Sequence, residues 1–145
     1  MKTVRELMQS KPGRSVVTVR PEQTVLEAIK LLAAEDVGAA LVMTGTTLVG
    51  ILSERDYTRK VILHGRSSDS TRVDEIMTAK VVYVTPRNTT RDCMALMIDK
   101  GIRHLPVLED SRVVGIVSIR DIVGDIIADQ DFTITQLEQY ISGQA

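Results

Sequence analysis

A chain that repeats itself is confined to folds in which two similar units pack together, and this one repeats after 65 residues. Sliding it by that interval lays Val16–Asp56 on Val81–Asp121 without a gap, and 13 of the 41 paired positions are identical. They include Val16, Val17, Val19, Pro21, Thr24, Gly50, Ile51, Ser53, Arg55 and Asp56. A shorter echo precedes each copy: Val4–Met8 (VRELM) and Val73–Met77 (VDEIM). The connection after the first of these is longer, through Lys11, Pro12, Gly13 and Arg14.

Each copy reads as β-α-β-β-α. A short apolar strand, Val16–Val19 or Val81–Val84, stops at Pro21 or Pro86, which cannot donate to a sheet ladder. A helix then opens at Thr24 or Thr89. Thr24 with Glu27 has the spacing of a capping box, and Thr89 with Asp92 a weaker form with a shorter acid. Two strands follow around polar turns, Ala40–Met43 with Leu48–Leu52 and Leu105–Leu108 with Val113–Val117, and a second helix begins at Ser53 or Ser118. The polar stretch His64–Arg72 is the linker. The expected division is 1–65, 66–130 and a tail, 131–145.

In that tail Gln130–Thr133 is expected to break the preceding helix, and Thr135 with Glu138 to cap a short amphipathic one bearing Leu137, Tyr140 and Ile141. It either covers its own module's core or contacts a partner or second copy. A copy of about 60 residues buries too little surface for comfortable independent stability. The expected architecture is therefore α/β (α+β), with two sheets packed face to face about a pseudo-two-fold axis and a cleft on each side.

The most informative residues are Gly50–Asp56 (GILSERD) and Gly115–Asp121 (GIVSIRD). Helix capping alone would explain Ser-x-x-Asp at a strand-to-helix junction. The same geometry also suits a nucleoside phosphate. Free N–H groups and a serine hydroxyl at a helix start can hold phosphate. An aspartate one turn later can accept from ribose hydroxyls, and a glycine in the strand lets a flat ring approach the backbone.

Composition narrows the alternatives. A net charge of −1 gives no basic field for nucleic acid or anionic membrane, and 3% aromatic residues are too few for a base-stacking platform. One cysteine, Cys93, cannot make an intramolecular disulfide, and with two histidines, His64 and His104, it cannot make a His/Cys zinc cage. Cys93, Met94 and Met97 read as helix core, and His64 as a solvated loop residue. Neither a secretory leader nor a membrane-length apolar run is present, so a cytoplasmic protein is expected.

The duplication, both Gly-h-h-Ser-x-x-Asp ends and the strand entry Gly101–Val107 (GIRHLPV) closely resemble the CBS-domain family, whose tandem pair is called a Bateman module. The resemblance covers about Val4 to Ala128. It implies a non-enzymatic regulatory module that holds an adenosyl ligand between its repeats, here as a stand-alone CBS pair forming a homodimer that acts on an unidentified protein. AMP is the first candidate, NAD the second, with ATP or S-adenosylmethionine as further ones. The resemblance implies that Asp56 and Asp121 bind ribose, that Ser53 and Ser118 lie on the phosphate side, and that Val17–Pro21 and Val82–Pro86 flank the adenine. Arg103 and His104 stand where the family presents basic side chains to phosphate. Ile119 and Arg120 complete the nucleotide-binding set, although Arg55 and Arg120 could equally face solvent or form internal ion pairs. The first copy has Gly38 and Ala39 opposite Arg103 and His104, so one phosphate centre, or two unequal sites, is expected. Two other readings remain: a nucleotide hydrolase using His104 with Asp121, and an adaptor with vacant clefts that acts through dimerisation and the tail helix.

Overall fold

The computed structural model describes residues 2–10 and 16–141; the Lys11–Arg14 connection lies outside the described residues. The first sheet has three strands in the order β1 (Thr18–Val19), β2 (Ala39–Thr44) and β3 (Thr47–Ser53), with β1 parallel and β3 antiparallel to β2. The second is the antiparallel pair β4 (His104–Glu109) and β5 (Arg112–Ser118). Its counterpart of β1 shrinks to a single parallel bridge, Val84 to Val107. Both outer segments are shorter than expected. Proline two residues beyond Val19 or Val84 removes the donor that would extend the ladder. The two hairpins share one register: Ala39–Ser53 recurs as His104–Ser118, and Val42–Gly50 as Val107–Gly115, with a bulge at the same point in each.

The helices are α1 (Val4–Gln9), α2 (Val25–Glu35), α3 (Glu54–Tyr57), α4 (Val73–Ile76), α5 (Thr90–Lys100) and α6 (Ile119–Ile141), with a π-helical turn, Thr58–Ile62, continuing α3. Capping departs from expectation in an instructive way. The short acid makes the reciprocal box: Asp92 accepts from Thr89 N at 2.9 Å while Thr89 Oγ1 accepts from Asp92 N at 3.1 Å. The longer Glu27 takes mainly side-chain donors, accepting from Thr24 Oγ1 at 3.1 Å and Gln23 Nε2 at 3.2 Å.

A second correction concerns the tail. α6 runs unbroken through 130–133 to Ile141, so the Thr135–Glu138 spacing falls inside a helix and caps nothing. No glycine or proline follows Gly124 before Ile141, and isolated polar residues do not stop a helix whose backbone ladder is intact. The side chains of Tyr140 and Ile141 lie outside the described residues.

The segment that precedes each copy packs into the core of the other. Val73 and Ile76 of α4 are buried with Val19, Val25, Leu32, Val42, Leu52 and Val61 of the first copy. Val4 and Leu7 of α1 are buried with Val84, Cys93, Met97, Leu105, Val107, Val117 and Ile122 of the second. Backbone bonds hold the exchange: Asp74 N donates to Pro21 O and Val73 N to Gln23 O, while Arg5 N donates to Pro86 O and Val4 N to Asn88 O, at 2.7–3.0 Å. Lys2 adds an ion pair to the nearly buried Asp125 at 2.8 Å, which raises the lysine pKa.

This exchange accounts for the strand glycines. A Cβ on Gly50 would lie 2.5 Å from Met77 Sδ and 3.1 Å from Thr78 O; one on Gly115 would lie 2.6 Å from Met8 Sδ. The glycines therefore make room for a methionine of the incoming segment rather than for a ligand ring. Gly50→Ala is expected to lower stability by about 1–3 kcal/mol, because backbone as well as side chain must move. Gly115→Ala should cost about 1 kcal/mol or less, since only a flexible methionine must turn. Urea midpoints of the two variants check this, and equal losses would contradict it.

Candidate functional site

Where the copies meet, a cleft of about 640 Å³ opens between α2, the α2–β2 turn and α3 on one side and the start of β4, the end of β5 and the start of α6 on the other. The size suits a small organic ligand. Its apolar wall includes Val17, Ile29, Val37 and Ile116; its polar groups include Arg103, His104, Ser118 and Arg120.

Six of the twelve expected site residues line this cleft: Val17, Arg103, His104, Ser118, Ile119 and Arg120. The other six do not. Pro21 and Pro86 turn their carbonyls to the exchanged segments, and Val82 packs against the second core. Ser53 and Asp56 are bound to each other: Ser53 N and Oγ donate to Asp56 Oδ2 at 3.0 and 3.1 Å, and Asp56 N donates back to Ser53 Oγ at 3.1 Å. Asp56 Oδ1 takes Lys60 Nζ at 3.0 Å, so both carboxylate oxygens of Asp56 serve the fold.

Asp121 makes the matching box with Ser118, accepting from Ser118 N at 2.9 Å while its own N–H donates to Ser118 Oγ at 3.3 Å, and it is only 3% exposed. Since Thr89 and Asp92 form the same box in α5, aspartate at that spacing does not by itself mark a ligand site.

His104 is the best-placed titratable group. Burial lowers its pKa; the Asp121 carboxylate opposes this, and the Arg103 guanidinium adds to it. Its ring reaches across to the first copy, where a Cβ on Gly38 would lie 3.3 Å from both Cε1 and Nε2. Gly38 is therefore the space the imidazole fills, as well as a position lacking charge. Arg103 is exposed, and its backbone carbonyl accepts from Ile119 N at 2.8 Å, which joins the β4 entry to the start of α6.

The two arginines of the repeated motif part company. Arg55 Nη1 crosses between copies to cap α5, donating to Gly101 O at 2.9 Å. Arg120 lines the cleft, whose opposite side carries Asp36 at the position equivalent to Gly101. Asp36 ends α2 in the left-handed conformation, φ 54°, as Gly101 ends α5 at φ 63°. Glu54, Tyr57 and Thr58 also line the cleft and were not anticipated. The usable signal for Asp36 and Glu54 was the difference between copies: Asp36 stands opposite Gly101, and Glu54 opposite Ile119.

The remaining sulfur fits the core reading. Cys93 is fully buried, and desolvation pushes its thiol up to about 11.

Comparison with known proteins agrees with this architecture. The family model for the CBS domain matches residues 4–62 and 73–128. The chain is 39% identical to the mitochondrial CBS domain-containing protein CBSX3 of Arabidopsis thaliana, over 97% of this chain and 72% of that protein. It is 50% identical to a solved CBS-domain protein from Burkholderia ambifaria, with a TM-score of 0.86, covering 89% of this chain and 96% of that one. It shares its fold with the CBS domain pair of protein MJ0100, whose structure holds 5′-methylthioadenosine and S-adenosyl-L-methionine, at 22% identity and a TM-score of 0.77 over 90% of this chain and 98% of that one.

Proposed function

The chain belongs to the CBS-domain family, and on that premise we propose that it is a regulatory sensor that binds an adenosyl ligand in the cleft between its two copies. The observation that carries this reading is the convergence of Arg103, His104, Ser118 and Arg120, all from the second copy, on a cleft whose apolar wall comes largely from the first. Val17, Ile29 and Val37 would take the base, which needs apolar contact more than aromatic stacking. Arg103 and Arg120 would take the anionic end, where a guanidinium can bond a phosphate or carboxylate through two N–H groups at once. Asp121 is not among the lining residues; its carboxylate caps α6 and holds Ser118, which does line the cleft. AMP and NAD are the leading candidates, followed by ATP and S-adenosylmethionine.

A ligand held by both copies stabilises their union by mass action, adding about 2.7 kcal/mol at a hundredfold excess over Kd. Thermal unfolding with each of the four compounds tests this. One of them should raise the melting temperature in a concentration-dependent manner, and no shift with any would oppose the reading.

The signal would pass to other proteins through an assembled surface, and α6 is the element suited to provide it. Val123, Ile127, Ile134 and Leu137 follow a three-and-four spacing along one stripe and are 44–56% exposed. We assign this stripe to a homodimer contact. Ile134→Lys is expected to convert the dimer to monomer in sedimentation experiments without loss of the fold. A wild-type chain that sediments as a monomer would contradict the assignment.

A further inference from the structure

The charges around the cleft are segregated by copy. Among the described residues, the charged groups lining the cleft from the first copy are the carboxylates Asp36 and Glu54, and those from the second are the cationic or proton-accepting Arg103, His104 and Arg120. The two sets meet at Gly38, where a Cβ would lie 3.3 Å from His104 Nε2 and 3.5 Å from Glu54 Oε1. Among the described residues no ion pair joins the two sets, so they stand apart across the cleft. A bare nucleotide would satisfy Arg103 and Arg120 while bringing its phosphate toward two carboxylates.

We propose that the cleft selects a dipolar adenosyl ligand, one whose anionic group faces Arg103 and Arg120 and whose fixed organic cation faces Asp36 and Glu54. This rests on the adenosyl reading above and narrows it. Two kinds of adenosyl compound carry such a cation, a pyridinium in NAD⁺ and a sulfonium in S-adenosylmethionine. Each has a partner of similar shape that lacks that positive charge, NADH and S-adenosylhomocysteine. The position of Asp36 supports the assignment: the equivalent residue, Gly101, meets the same left-handed backbone requirement without a charge.

Equilibrium titration of the full chain with NAD⁺, NADH, S-adenosylmethionine, S-adenosylhomocysteine and AMP tests it. The cationic member of one pair should bind about tenfold more tightly than its neutralised partner, as expected for one additional charge contact at a half-exposed site. Whichever pair shows the preference identifies the cation. In the double variant Asp36→Asn, Glu54→Gln the ratio should fall to about twofold or less, with AMP binding unchanged or tighter. Both substitutions keep the side-chain size, and asparagine tolerates the left-handed backbone at position 36. Equal binding within both pairs, or a preference that survives in the double variant, overturns this inference alone. Silence toward all five compounds and toward ATP overturns the adenosyl reading with it.

Discussion

Leu7→Ala should lower the stability of the whole chain by about 2–5 kcal/mol, the range for emptying a buried leucine site. The magnitude follows from location: Leu7 is 3% exposed and lies with Val84, Cys93, Met97, Leu105 and Ile122, in the core of the second copy, although it precedes the first. Since α4 enters the first core in return, neither copy completes its interior from its own residues. Unfolding should therefore remain a single transition in the variant, with both copies lost together. A fragment ending near residue 65 should fail to fold, because it lacks Val73 and Ile76. Urea denaturation followed by circular dichroism measures the loss, and a cost below about 1 kcal/mol would mean that the exchanged segment contributes little to the core.

Arg103→Ala should weaken adenosyl-ligand binding by about 10- to 100-fold and leave the melting temperature of the free chain unchanged. Hydrogen bonds to charged groups contribute about 1.5–3 kcal/mol each, which sets the range. The separation of binding from stability follows from the structure. Arg103 is exposed, and the structural bond at this position is made by its backbone carbonyl, which accepts from Ile119 N and survives the substitution. The remaining affinity should fall further with added salt, as for any half-exposed charge contact. Asp121 would make a poorer first probe, because its carboxylate also caps α6. Unchanged affinity in Arg103→Ala, measured by calorimetry, would remove the second copy's phosphate centre from the account.

The repeat made the topology legible because identical residues at a fixed offset carry the same structural duties. Val42, Gly50, Ser53 and Asp56 recur with the same register, bulge and cap as Val107, Gly115, Ser118 and Asp121. That same identity also has purely structural causes. Gly50 and Gly115 are repeated because each accommodates a methionine from the other copy's leading segment, a crossing that local sequence pattern does not encode. Asp56 is repeated as a cap and then committed to Lys60. The cleft combines repeated residues, Ser118 and Arg120 among them, with positions where the copies differ: Gly38 against Arg103, Ala39 against His104, Asp36 against Gly101 and Glu54 against Ile119. Duplicated residues build two similar halves, and divergent ones make the two sides of this cleft unlike. The continuous α6 differs from the expected break for a simpler reason: Gln130, Asp131 and Thr133 are polar, but none of 130–133 is a glycine or proline that would end a helix.

The most direct test of the central claim is isothermal titration of the purified, nucleotide-stripped chain with AMP, ATP, NAD and S-adenosylmethionine. The account predicts micromolar binding of one of these compounds at one principal site per chain. It also predicts that affinity falls about 10- to 100-fold in Arg103→Ala and is retained in Asp56→Ala, once the latter is shown to be folded. Two sites of equal affinity would contradict the division of labour between the copies. Absence of binding to any of the four by a folded chain would contradict the sensor itself, leaving Ser53–Asp56 and Ser118–Asp121 as helix caps.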